Sequence, residues 1–387
     1  MPTELAYVMI NPYTIRKSRT GGVIARYLGR TDLRLVGARM FGPSRELAQE
    51  YADAIRRREP TGSAFGDILA EYVMREYAPS PSTGRPHRCM CLLFEGENAV
   101  EKIWQLTGSA SLTWGQGQTV RETYGDYVKN EKGDVTYFEP AVLVAPTVEF
   151  ANETLKLWAK YTTKCGGIVN SALDIESGDG VEQTLVMLKP DNFQRPSLRM
   201  GNIMDILSST GLRIVAVKKF SMTVAQAELF YGPVQETLRR KFPVFGTARV
   251  AATLSKELGF DIPETAAKSL CEVIAPQFAT HQFESIVEFM TGFKPSACTP
   301  EEKHTRCGAE CFAIIYEGKN AVQKIRETLG ETDPTKARAG SVRREFGSNI
   351  MQNAAHASDS PDNAQREMKI IDIEGDNFAP YIQKYCR

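Results

Sequence analysis

The chain repeats itself, and the spacing of the repeats limits what it can fold into. Tyr7-Val-Met-Ile-Asn-Pro12 recurs as Leu185-Val-Met-Leu-Lys-Pro190 at an offset of 178 residues, and Arg34-Leu-Val-Gly recurs as Arg213-Ile-Val-Ala at 179. Further along, Phe94-Glu-Gly-Glu-Asn-Ala-Val returns as Tyr316-Glu-Gly-Lys-Asn-Ala-Val, and Thr119-Val-Arg121 as Ser341-Val-Arg343, both at 222. One supersecondary plan is therefore used twice, in agreement with a length of 387 residues, too many for a single ordinary core. The second copy holds 44 residues more than the first, the difference between 222 and 178. Most of them fall between Tyr231 and Gln282, where helical periodicity at 247–258 and 264–274 is broken by Phe-Pro-Val-Phe-Gly and by Asp261-Ile-Pro. The expected organisation is a lobe at 1–160, a Gly-rich polar linker at 161–180, and a second lobe at 181–387 with a helical insertion at about 235–280.

Each copy alternates strand with helix. In the second, the pattern predicts strands at 184–189, 213–218 and 311–316 and a short one at His356. Helices are expected at 198–209, about 224–231, about 283–290, 320–329 and 361–371. A β-α-β-β-α-β order with extra helices predicts an α+β protein of two tandem ferredoxin-like lobes, antiparallel sheets with helices on one face. Lys plus Arg and Asp plus Glu number 47 each, so no overall positive field draws the chain onto nucleic acid or anionic membrane. No apolar run approaches bilayer length, and the first residues lack the basic and apolar regions of a signal peptide. The expected location is the cytoplasm. The 8 cysteines are irregularly spaced and read as free thiols; Cys298, His304, Cys307 and Cys311 contain no Cys-x-x-Cys pair, which argues against zinc.

Near the C-terminus, Asn353-Ala-Ala-His356-Ala-Ser358-Asp-Ser360-Pro follows Gly340-Ser-Val-Arg343-Arg-Glu-Phe-Gly347, and Lys189-Pro190-Asp191 follows an apolar strand. Together these residues resemble the nucleoside diphosphate kinase family, whose signature is an Asn-x-x-His-x-Ser-Asp-Ser segment, over roughly 181–373. The resemblance implies the same ferredoxin-like fold. It implies that His356 carries a phosphoryl group, that Ser358 and Glu367 orient its ring, and that Lys189, Tyr231, Arg326, Thr332, Arg343 and Asn353 hold the phosphates and sugar of a nucleotide. Mg2+ would bridge the outer phosphates largely through water, so no dedicated metal site is expected in the protein. One departure concerns the base. Where the family has Pro-Phe-Phe, this chain has Thr280-His281-Gln282-Phe283, leaving Phe283, His281 or Phe278 as the stacking residue.

The chemistry suits these residue types. A neutral imidazole attacks phosphorus without first losing a proton, and its phosphohistidine passes the group to a second nucleotide by a ping-pong route. Paired guanidiniums and a lysine neutralise the transferring phosphates. The expected activity is a nucleoside diphosphate kinase acting on nucleoside tri- and diphosphates; a nucleotide-sensing or interaction protein, and phosphohistidine relay to a protein, are the alternatives. In the first copy Asn11 stands at the Lys189 position, Trp104 at that of Arg326 and Leu143 at that of His356. That lobe is expected to be non-catalytic and to stand in for a partner subunit in an intramolecular pseudo-dimer, with further homo-oligomerisation open.

Overall fold

Long apolar runs become the inner strands of a sheet. The computed structural model describes residues 3–58, 64–109, 117–132, 135–170, 172, 180–194 and 197–386. The first copy contributes β1 (Thr3–Ile10), β2 (Arg34–Phe41) and β3 (Cys89–Glu97), a hairpin of β4 (Asp126–Lys129) and β5 (Val135–Glu139), then β6 (Val142–Val144). The second contributes β7 (Val181–Leu188), β8 (Arg213–Phe220), β9 (Cys311–Lys319) and β10 (Ala355–Ala357). In β1 the last six positions are buried in succession and in β7 the last five, as befits strands paired along both edges. Each copy orders its strands fourth, first, third, second, the ferredoxin-like arrangement, and the two sets join as one eight-stranded sheet, β10-β7-β9-β8-β2-β3-β1-β6.

The join lies between β2 and β8, antiparallel, with Arg39 opposite Lys218. Both cations are buried, at 3% and 6% exposure, and burial lowers both pKa values. Carbonyl oxygens hold them. Arg39 donates to Thr162, Glu374 and Gly375 at 3.1–3.2 Å, and Lys218 to Ile371 and Asp372. Most of these acceptors come from the turn after the helix Pro361–Ile370, and the next helix, Phe378–Tyr385, sets Phe378 edge-on to Phe41, 5.7 Å between centroids. The end of the second copy is thereby built into the core of the first. Of the expected linker, Thr162–Cys165 is a helical turn, Gly166 bridges to Phe41, and Val169 N–H donates to Val215; residues 171 and 173–179 lie outside the described residues.

Beside the join, the helices Thr20–Arg30 and Arg199–Ser208 cross backbone to backbone. A Cβ on Gly21 would lie 2.5 Å from the Gly201 carbonyl oxygen, and one on Gly201 would overlap the Gly21 carbonyl.

The chain leaves the sheet after Phe220, and Ser221–Cys311 forms a second compact unit. Its helices are Val224–Phe245, Thr247–Leu258 and Glu264–Thr291, with a short Pro300–Thr305. Two are longer than the sequence suggests. The first continues past residue 231 through Pro233 and Pro243, and the segments expected at 264–274 and 283–290 are one helix of 28 residues through Pro276. A proline removes one helical hydrogen bond, and here packing outweighs that loss. Phe242 stacks on Phe278 at 3.9 Å, and Cys271 and Ala275 complete a small core with Phe242. The chain stops its helices at Gly246 and at Gly259, whose φ is 76°.

We expect Gly201→Val and Gly21→Val each to cost about 1–3 kcal/mol by overpacking the helix crossing, lowering Tm by several degrees. Gly232→Ala, at a position with open space around a new Cβ, is expected to hold or raise Tm in the same thermal denaturation series.

Candidate active site

The site grows from the turn that ends β7. Lys189 follows that strand, and Pro190–Asn192 is one turn of 3-10 helix, begun by the proline at its first position. Opposite this turn lies Ala354, buried and left-handed at φ 69°, a conformation that costs a residue with a Cβ about 1–2 kcal/mol. Its neighbours hold it there. Asp191 Oδ2 accepts the Ala354 N–H at 3.1 Å, while the Ala354 carbonyl accepts from the Lys189 N–H at 3.0 Å and from Asn192 Nδ2 at 2.7 Å. The kink sends Asn353 toward Lys189 and starts β10, whose His356 pairs with Met187 of β7.

Ser360 then caps the helix Pro361–Ile370, accepting the Asn363 N–H at 3.1 Å, with Pro361 in the first turn. That helix carries Glu367 back over the strand. Glu367 Oε2 accepts the Ser358 hydroxyl at 2.6 Å and lies 3.0 Å from His356 Nε2. The Ser358 and Glu367 side chains are buried, whereas that of His356 is 22% exposed. A carboxylate at Nε2 selects the tautomer with the proton on that nitrogen, which puts the imidazole lone pair on Nδ1.

Lys189 Nζ donates to Asn353 Oδ1 at 2.7 Å, and Asn353 Nδ2 to the Thr332 carbonyl at 3.0 Å, so these three expected residues form one chain of contacts. Arg326 in the last turn of the helix Ala321–Leu329, Thr332 and Arg343 line a cavity of about 440 Å3, together with Glu331, Asp333, Lys336 and Ala357, the residue after His356. The Arg326 side chain is exposed and makes no hydrogen bond or ion pair to another described residue. Arg343 is different. Its Nη1 and Nη2 donate to the carbonyls of Gly330 and Ala355 at 2.9 and 3.1 Å, and burial, then Arg326, pushes its pKa down to about 10. Tyr231 lies on the helix Val224–Phe245 of the second unit, as Phe278, His281 and Phe283 lie on Glu264–Thr291.

The matched positions of the first copy show what has been retained. Leu143 pairs with Met9 as His356 pairs with Met187. Arg121 donates to Gly108 and Val142 just as Arg343 donates to Gly330 and Ala355, so this tether belongs to the scaffold of both copies. Asn11, at the Lys189 position, bonds the buried Glu139 carboxylate and the Tyr77 hydroxyl. Around Arg121, Trp104, Leu143 and Phe150 leave a cavity of only about 20 Å3.

Residues 182–245 and 272–373 match the family model for nucleoside diphosphate kinase. Over these residues the second copy is similar to the nucleoside diphosphate kinase family. The nucleoside diphosphate kinase of Kosmotoga olearia is 28% identical over 191 residues, 49% of this chain and 88% of its own length. That of Campylobacter hominis is 29% identical over 188 residues, 49% of this chain and 93% of its own. A crystal structure of the Aquifex aeolicus nucleoside diphosphate kinase aligns with 49% of this chain and 94% of its own at 27% identity and a TM-score of 0.31. The stretch between the two matched segments, 246–271, contains the helix Thr247–Leu258.

Asp191 and Asn192, which clamp the left-handed Ala354, are not among the site residues that the sequence resemblance implies. The signal was present in the run Lys189-Pro190-Asp191, but its meaning depends on a kink more than 160 residues away. We expect Asp191→Ala to leave the buried Ala354 N–H unsatisfied, costing about 1–3 kcal/mol, and Asp191→Asn, which keeps an acceptor, to recover most of it. Chemical denaturation of both variants measures the difference.

Proposed function

We propose that the second copy transfers the γ-phosphate of a nucleoside triphosphate to a nucleoside diphosphate through a phosphohistidine at His356. The observation that carries this reading is the shared Glu367 oxygen, which engages both His356 and Ser358 next to a cavity bearing an unengaged arginine. Nδ1 attacks the γ-phosphorus, an N–P bond forms, and the bond to the bridging oxygen breaks as the diphosphate leaves with the electron pair. An oxygen of a second diphosphate then attacks the same phosphorus and the N–P bond breaks, restoring the imidazole. Glu367 keeps the proton on Nε2 and balances the positive charge that grows on the ring. Arg326 binds the phosphate oxygens as a planar fork, and Arg343, tethered by two carbonyls, contributes charge at the cavity wall. Lys189, Asn353 and Thr332 hold phosphate and sugar.

Among the described residues no group of three or more His, Cys, Asp or Glu side chains could hold a metal ion. The acids at the cavity, Glu331 and Asp333, suit a hydrated Mg2+ brought in by the nucleotide. Such an ion would neutralise the outer phosphates while the protein orients them.

The first copy acts as a built-in partner subunit, a reading supported by the continuous sheet and by Asn11, Trp104 and Leu143 standing where the second copy has Lys189, Arg326 and His356. Because Thr280-His281-Gln282-Phe283 stands where the family has Pro-Phe-Phe, we propose a base preference altered from the family's. No helix among the described residues is long and apolar enough to cross a membrane, in keeping with a proposed cytoplasmic location.

Incubation with γ-labelled ATP and Mg2+ tests the proposal. We expect acid-labile label on the protein that moves to added GDP and is absent in His356→Ala. Label that forms but does not move to GDP favours relay to a protein, and ATP binding without label favours a sensor. In the same assay Glu367→Gln should slow phosphorylation by about 100-fold or more. Arg326→Ala should weaken nucleotide binding by about tenfold or more.

A further inference from the structure

The loop between the helices Ala321–Leu329 and Val342–Phe346 supplies Glu331, Thr332, Asp333 and Lys336 to the cavity of about 440 Å3 that Arg326 and Ala357 also line. Its backbone is anchored. The Asp333 carbonyl accepts the N–H groups of Lys336 and Ala337 at 3.0 and 3.1 Å, closing one helical turn, and Ala337 is buried. Arg344 Nη1 donates to the carbonyls of Pro334 and Thr335, both at 3.3 Å, and Asn353 Nδ2 holds that of Thr332. Lys336 thus stands on a fixed turn with its side chain exposed at the cavity, and its ammonium makes no hydrogen bond or ion pair to another described residue.

A lysine three residues after an aspartate suggests a structural ion pair, but Asp333 is already committed. Its Oδ1 accepts the Thr335 hydroxyl at 2.7 Å and the Thr335 N–H at 3.0 Å. Those two bonds hold its pKa below the usual carboxylate range, and Lys336 contributes less than either. Arg343 is tethered by two carbonyls, so among the described residues Arg326 and Lys336 are the two cations of the cavity wall without an anchor. A polyphosphate spreads its charge over more oxygens than one guanidinium fork engages, which leaves a second mobile cation with a partner to meet.

We propose that Lys336 is a further phosphate-binding residue of this site, closing on the phosphates of an entering nucleotide together with Arg326. The proposal rests on the nucleotide reading given above and adds to it a residue that the sequence resemblance does not supply. An ammonium on a flexible stem is not preorganised for one charge distribution, so it binds substrate and transition state alike, and its loss is read in KM and not in kcat.

Binding of Mg-ADP to the full-length chain is measured by calorimetry at low and at physiological ionic strength, beside labelling of His356 and steady-state transfer from ATP to GDP. Lys336→Gln should weaken Mg-ADP binding by about threefold to tenfold and lose less affinity on adding salt than the parent chain does. Lys336→Arg should stay within about twofold of the parent. In transfer, Lys336→Gln should raise KM by a similar factor with kcat within about twofold. Unchanged Mg-ADP affinity in Lys336→Gln, with labelling intact, overturns the proposal and leaves the transfer reading standing, and a loss confined to kcat overturns it as well. A parent chain that binds Mg-ADP without being labelled fails the transfer reading, while weaker binding in Lys336→Gln still supports the phosphate contact. A parent chain that binds no Mg-ADP overturns both.

Discussion

A four-stranded ferredoxin-like sheet ends in a strand whose outer N–H and C=O groups have no neighbour, and here β2 of the first copy and β8 of the second meet edge to edge. Much of the structure depends on that pairing. It brings Arg39 against Lys218, two cations that burial would expel unless something accepts their hydrogen bonds. The turn at residues 371–376 supplies carbonyl oxygens, and that turn directly continues the helix bearing Glu367. The same elements that close the sheet therefore fix the far end of the helix on which His356 relies. Gly21 and Gly201 let the accompanying helices approach closely enough for the strands to pair.

Divergence between the copies has spared the backbone and changed the polar groups. Ala141 and Ala354 both take left-handed conformations, at φ 63° and 69°, and each N–H is held by a buried carboxylate, Glu139 in one case and Asp191 in the other. Desolvation raises the pKa of both acids. In the first copy Tyr72 and Asn11 enclose the carboxylate in a closed network. In the second, Asp191 sits beside a lysine that reaches toward Asn353. A phosphate-binding lysine needs an environment that leaves its charge usable, and the Asn11 network offers none.

Both the repeats and the His356 segment were legible because they are local. Strand positions and their order followed from apolar runs, and Lys189, Asn353, Ser358 and Glu367 do converge near His356 in the fold. Three things were not legible, each for a tertiary reason. Pro243 reads as a helix breaker, and the helices expected to end at 231 and 274 run on, because local rules do not weigh the Phe242–Phe278 stack. Asp191 gains its role only through the distant kink at Ala354. The buried pair Arg39 and Lys218 depends on carbonyl oxygens at residues 371–375, far from both in sequence.

Arg343 shows how resemblance and geometry divide the work. Sequence similarity groups it with Arg326 as a phosphate ligand, but the matched Arg121 keeps the same two carbonyl bonds in a copy with leucine where the histidine would be. Its retention in both copies is therefore explained by tethering the loop at Gly330 to the strand at Ala355, whatever the ligand. Arg326 has no such anchor, and its counterpart Trp104 carries no charge. Between two neighbouring arginines, the tethered one sets the position of the strand bearing His356, and in the proposed transfer the unanchored one has the freedom to close on a phosphate and let it go. A site that must bind one nucleotide, release it and admit another needs both kinds of group, because rigid placement of the nucleophile and reversible capture of the phosphates make opposite demands on a side chain.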